Sequence, residues 1–97
     1  MQRVAALTHL PTDIPDAASR VLEIPAGSAS INHDPGPDES IYIVIRGEVC
    51  LRWGQHLEYS GTAGPGAVIR VPPWVQHSES NGSDREILER LRMLTGH

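Results

Sequence analysis

Nine glycines and eight prolines are spread along 97 residues, and they constrain this chain more than any other feature. Each interrupts regular structure, so the chain is divided into short segments. The segments between them are β-branched and apolar. "IYIVIRGEVCLRW", from Ile41 to Trp53, is the strongest strand signal, with Gly47 inside it marking a bend or bulge. "RVLEIPAGSAS" predicts a strand over 20–24 and a turn at Pro25 to Gly27, and "INHDPGPDES" reads as a loop. "WGQ" predicts a tight turn, "HLEYS" a short strand and "GTAGPG" a turn. "AVIRVPP" and "VQHSES" follow as strands, and "NGSD" as a hairpin-type turn.

The tail "REILERLRML" fits two periods. Ile87, Leu88, Leu91 and Leu94 would line one face of a helix, while alternation suits a strand nearly as well. The run of short strands before it favours one more strand. Many short strands with turns every few residues predict an all-β sandwich or barrel. Residues 1–19, with Pro11 and Pro15, are expected to form a leader of loop with one edge strand, and 20–97 the barrel.

A chain of this length makes one domain. Alone it hides only about two-thirds of its unfolded surface, which makes a homodimer the expected state. The net charge is −4 and the basic residues are scattered, so a nucleic-acid partner is not expected. No apolar stretch approaches the about 20 residues needed to span a bilayer. The opening "MQRVAALTHL" is too short and weakly apolar for a signal peptide, so a cytoplasmic protein is expected. A single cysteine, Cys50, excludes an internal disulfide and reads as a buried, inert thiol.

Two stretches carry a family resemblance. "GAVIRVPPWVQHSESN" resembles the second motif of the cupins, Gly-x5-Pro-x-Gly-x2-His-x3-Asn, with Gly66, Pro72, His77 and Asn81 in register. Trp74 stands where that motif has its second glycine. "GSASINHDPGPDESIYIVIRG" is similar to the first motif, Gly-x5-His-x-His-x3-4-Glu-x6-Gly, with Gly27, His33 and Gly47 in register. The motif's second histidine falls at Pro35 and its glutamate at Ser40, with Glu39 one residue early. The resemblance, which covers residues 20 to 94, implies a small double-stranded β-helix, a jelly-roll barrel. It implies that His33 and His77 converge inside, while the other two usual metal ligands are missing.

In a strand, His77, Glu79 and Asn81 share one face, and the resemblance turns His77 inward. His33, His77 and Glu79 then supply two imidazoles and a carboxylate, a set that suits iron, with manganese, zinc or nickel as alternatives. Glu39 is the alternative carboxylate, reaching the cavity only if the end of the loop bulges. The other reading has no metal: a neutral imidazole moves protons near neutral pH, and Tyr42 beside His33 or His77 serves as a phenolic acid. That arrangement is similar to the sugar epimerases among cupins; against it stands a buried tyrosine whose hydroxyl simply finds a partner. His9, His56 and His97 read as surface residues.

The expected function is therefore a small-molecule-binding barrel with a His-lined apolar cavity. It acts as a metal-dependent oxygenase, isomerase or cyclase on a small metabolite, or as a metal-free acid–base isomerase or epimerase, or as a non-catalytic carrier or sensor.

Overall fold

The computed structural model describes residues 5, 6 and 19–95, and all regular structure among them is β. The leader expected over 1–19 falls outside this range except for Ala5, Ala6 and Ser19, as do His9 and His97. Nine strands run β1 (Ala5–Ala6), β2 (Ser19–Ile24), β3 (Ile31–His33), β4 (Glu39–Arg46), β5 (Val49–Trp53), β6 (Tyr59–Ala63), β7 (Val68–Val71), β8 (His77–Asn81) and β9 (Leu88–Thr95). They form two antiparallel sheets, β1-β7-β4-β9-β2 and β3-β8-β5-β6.

Alternation along the strands assigns the faces. Tyr42, Val44, Ile69, Val71 and Leu88 of the first sheet pack with Val49 and Leu51 of the second in one buried cluster. On the reverse face of the first sheet, Ile41 stands opposite Met93 in register, and both are buried. The tail is the strand its alternation allowed: Leu88, Arg90, Arg92 and Leu94 oppose Ile24, Val44, Tyr42 and Ser40, so these four face inward.

Four local expectations need correction. "HLEYS", read as a strand, is strand only at Tyr59 and Ser60, because the turn after Trp53 runs on through Leu57. Ile31–His33, read as loop, is a strand held by β8, with His33 opposite His77. Residues 61–63, read as turn, extend β6 beside β5, because β-hairpin register with Val49–Leu51 outweighs the poor strand propensity of "GTA". "NGSD" makes no hairpin. It carries the chain from β8 in one sheet to β9 in the other, with the Asn81 side chain accepting from the Ser83 N–H at 2.8 Å and donating to the Ile24 carbonyl at 2.9 Å.

Gly47 lies at the passage from β4 to β5, where the chain leaves one sheet for the other. Its φ is 84°, and a Cβ there would run into the carbonyl oxygen of Ile87. Both the left-handed backbone and the backbone contact demand glycine. Gly47→Ala is expected to lower the unfolding free energy by about 2 kcal/mol or more. Urea unfolding checks this; a loss under about 0.5 kcal/mol would show that the crossing is not tight.

Candidate functional site

The inner face of β8 carries His77, Glu79 and Asn81, as alternation predicts, and these oppose Trp53, Leu51 and Val49 of β5. His77 and Glu79 are buried, at 4% and 0% exposure. Neighbouring β3 sets His33 beside them, and the two imidazoles stack with centroids 5.0 Å apart. The fold thus brings together His33, His77, Glu79 and Tyr42.

Glu79 would be costly to bury as a bare charge. Burial pushes its pKa up, but hydrogen bonds from His33 and Arg90 and the Arg90 charge outweigh this and hold it below the usual carboxylate value. Arg90, on the inner face of β9, donates from Nε to Oε2 at 2.9 Å and from Nη2 to Oε1, a two-pronged grip. His33 Nε2 donates to Oε1 at 2.9 Å. Both carboxylate oxygens are therefore engaged.

His77 is fixed from both sides. Its Nδ1 lies 3.0 Å from the Val75 carbonyl, which only accepts, so Nδ1 carries the proton. Its Nε2 therefore accepts from the Tyr42 hydroxyl, 2.8 Å away. Burial, helped by the charges of His33 and Arg92, pulls the His77 pKa from 6.5 down to about 4, although the Val75 hydrogen bond opposes the shift. Burial first, and then the Glu79 carboxylate, push the Tyr42 phenol well above its ordinary value of 10. Near neutral pH this pair is a neutral imidazole and a neutral phenol.

Arg90 and Arg92 lie 5.6 and 5.7 Å from the Tyr42 ring centroid, within cation–π range. Arg92 donates from Nη2 to Ser40 Oγ at 3.1 Å, and its buried Nε has no partner among the described residues. These two arginines were missed in the sequence. Their signal was available: in "LERLRML" they alternate with Leu88 and Leu94, so a strand that buries those leucines must turn both guanidinium groups inward.

Glu39 lies on the other face of β4, where it forms an ion pair with Arg70. The strand does not bulge there, so Glu39 does not join His33 and His77. His56 is exposed, and Cys50 is half-buried. Among the described residues, no three His, Cys, Asp or Glu side chains are arranged to hold a metal ion. The donor set explains this. The cationic Arg90 occupies Glu79, and the one open ring nitrogen of His77 is taken by Tyr42, so the residues do not fit a divalent metal as they stand.

Two openings reach this interior. A cleft of about 120 Å³ is lined by Ser40, Trp74, His77 and Arg92. Trp74, at its mouth, is 67% exposed and has a φ of 66°. It keeps the left-handed backbone that suits the glycine of the cupin motif. Trp74→Gly is expected to stabilise the protein by about 1 kcal/mol, read as a higher urea midpoint at unchanged slope. A lower midpoint would mean the indole contributes packing that outweighs the strain.

The second opening is a cavity of about 540 Å³ between edge strands β2 and β3. Leu22 faces inward opposite Arg90, yet it is 40% exposed, because the sheets stand open here. Arg20, Val21, Ile31, His33, Arg92 and Leu94 also line it.

The fold is similar to those of several solved structures. Hydroxypropylphosphonic acid epoxidase from S. wedmorenis, in complex with fosfomycin, matches with a TM-score of 0.70 at 14% identity, over 79% of this chain and 42% of that one. An iron(II) form of that enzyme with substrate gives 0.69 at the same identity, over 79% and 44%. Drosophila melanogaster CENP-C bound to CAL1 gives 0.70 at 12% identity, over 82% and 67%. The fold is a cupin-type jelly roll. The chain spans less than half the length of the epoxidase chains it matches. It matches no protein-family model and no curated protein sequence. At such identities the likeness carries the fold, and function has to be argued from the site.

Proposed function

We propose that this cupin-like barrel binds a small molecule in the cavity between β2 and β3, and does so without a metal ion. The observation that carries the reading is the exposed inner face at Leu22. An inward leucine left open, with Ile31 of the facing sheet and Leu94 of neighbouring β9 beside it, is apolar wall that the described residues do not fill. The volume of about 540 Å³ lies in the range of ligand pockets, about 300–1,000 Å³. His33, 12% exposed at its side chain, is the acid–base group that touches this space. It is oriented by Glu79, which Arg90 holds in turn. Tyr42 is fully buried, so with His77 it braces the interior and positions the stacked His33 ring.

A second reading makes His33, His77 and Glu79 a metal centre. The closeness of the three groups favours it, and the epoxidase is known in iron(II) and cobalt(II) forms. It requires Arg90 to leave Glu79 and Tyr42 to release His77, and both moves leave buried polar groups unpaired.

Amide NMR spectra recorded with a mixture of small organic fragments test the first reading. Shifts are expected to cluster at residues 20–22, 31–33 and 90–94, and to persist in a metal chelator. Shifts confined to other surfaces would contradict the cavity, and shifts lost in chelator would favour the metal centre.

A further inference from the structure

The proposed cavity has an uneven chemistry. Leu22, Ile31 and Leu94 give it an apolar side, and Arg20, Arg90 and Arg92 give it a cationic one. No acidic side chain lines it among the described residues. Arg90 is neutralised by Glu79, whose two oxygens accept from Arg90 and His33. Arg92 is different. It is half-buried, it pairs with no carboxylate among the described residues, and it meets the neutral Ser40 hydroxyl and the Tyr42 ring. Its Nε is enclosed without an acceptor.

A half-buried guanidinium without a counter-ion is an incomplete arrangement, because a charge withdrawn from water is stable only when paired. Among the described residues Arg92 lines two openings, and the cleft under Trp74 is small and carries Asp34 and Asp38, which repel anions, so the larger cavity is the side that suits an incoming charge. We infer that the cavity between β2 and β3 takes a small organic anion, an apolar carboxylate, with its charged end on Arg92 and its hydrocarbon body against Leu22, Ile31 and Leu94. This inference rests on the reading of that cavity as a binding site. The planar fork of a guanidinium suits a carboxylate, which it can meet with two parallel hydrogen bonds. The aliphatic wall selects against an anion that has no apolar part.

Calorimetric titration with benzoate, benzyl alcohol and inorganic phosphate separates the terms. Benzoate is expected to bind, with benzyl alcohol and phosphate each about tenfold or more weaker. Arg92→Gln is expected to weaken benzoate by about tenfold or more and benzyl alcohol by much less. Leu22→Asp changes a partly exposed side chain and adds a negative charge at the mouth, so it is expected to weaken benzoate even if Arg92→Gln fails to fold. Benzyl alcohol binding as well as benzoate overturns the anion assignment and leaves the binding cavity standing. Phosphate binding as well as benzoate overturns the apolar part. Absence of binding by all three probes overturns both the inference and the cavity on which it rests.

Discussion

Glu79→Ala will lower the unfolding free energy by about 3–5 kcal/mol, the usual cost of leaving a buried charge without its partner. Arg90 is 4% exposed, and Glu79 supplies both of its carboxylate contacts. The alanine variant strands that guanidinium and also removes the acceptor of His33 Nε2. The paired change Glu79→Leu with Arg90→Met removes both charges together and is expected to recover most of the loss, or to exceed the parent, because the desolvation penalty goes with the pair. Urea unfolding of the three variants checks both statements. A single alanine variant within about 1 kcal/mol of the parent would mean that the Arg90–Glu79 contact is not formed in solution.

Acid will weaken the fold through His77 before Glu79 responds. In the unfolded chain this histidine takes up a proton near pH 6.5, whereas in the fold it does so only at about 4. Between these values the unfolded state binds more protons, so stability falls as pH falls. Above 6.5 the histidine contributes no pH dependence, and below about 4 its full penalty is present. The gap corresponds to about 3 kcal/mol between pH 7 and pH 4. Glu79 acts in the same direction but lower on the scale: its pKa is depressed in the fold, so its contribution is present above the unfolded carboxylate value and lost as pH drops through the folded one. The difference between the parent and His77→Gln isolates the histidine. The parent is expected to lose about 3 kcal/mol more than the variant over that range. Parallel curves for the two would show that His77 is exposed and titrates normally.

The sequence disclosed the barrel because its strands alternate and its breaks are glycine and proline. Gly47, Gly66, Pro72, His77 and Asn81 are backbone and strand-phase markers, and such markers survive in a single sequence. The face of β8 was legible for the same reason, since a strand that buries His77 must also bury Glu79. What the sequence did not disclose was the partner of that carboxylate. Arg90 lies 11 positions away in the chain but across the interior in the other sheet, and only the register of β9 against β2 and β4 brings it there. The tail's two competing periods hid that register. With a helix, Arg90 and Arg92 would have diverged by about 200°; in a strand they point the same way. The metal ligand set was drawn up without them, and a cation already in place alters what the same carboxylate can hold. Glu39 shows the converse. One residue of phase separates it from Ser40, and that is enough to send it to the opposite face, where Arg70 meets it.

A crystal structure of the protein grown with excess zinc(II), with anomalous scattering recorded at the zinc edge, tests most directly the claim that an arginine supplies the cation inside this barrel. The account predicts Arg90 on both oxygens of Glu79, the Tyr42 hydroxyl on His77, and no anomalous peak between the two imidazoles. A peak bound by His33, His77 and Glu79, with the guanidinium turned away, would contradict it.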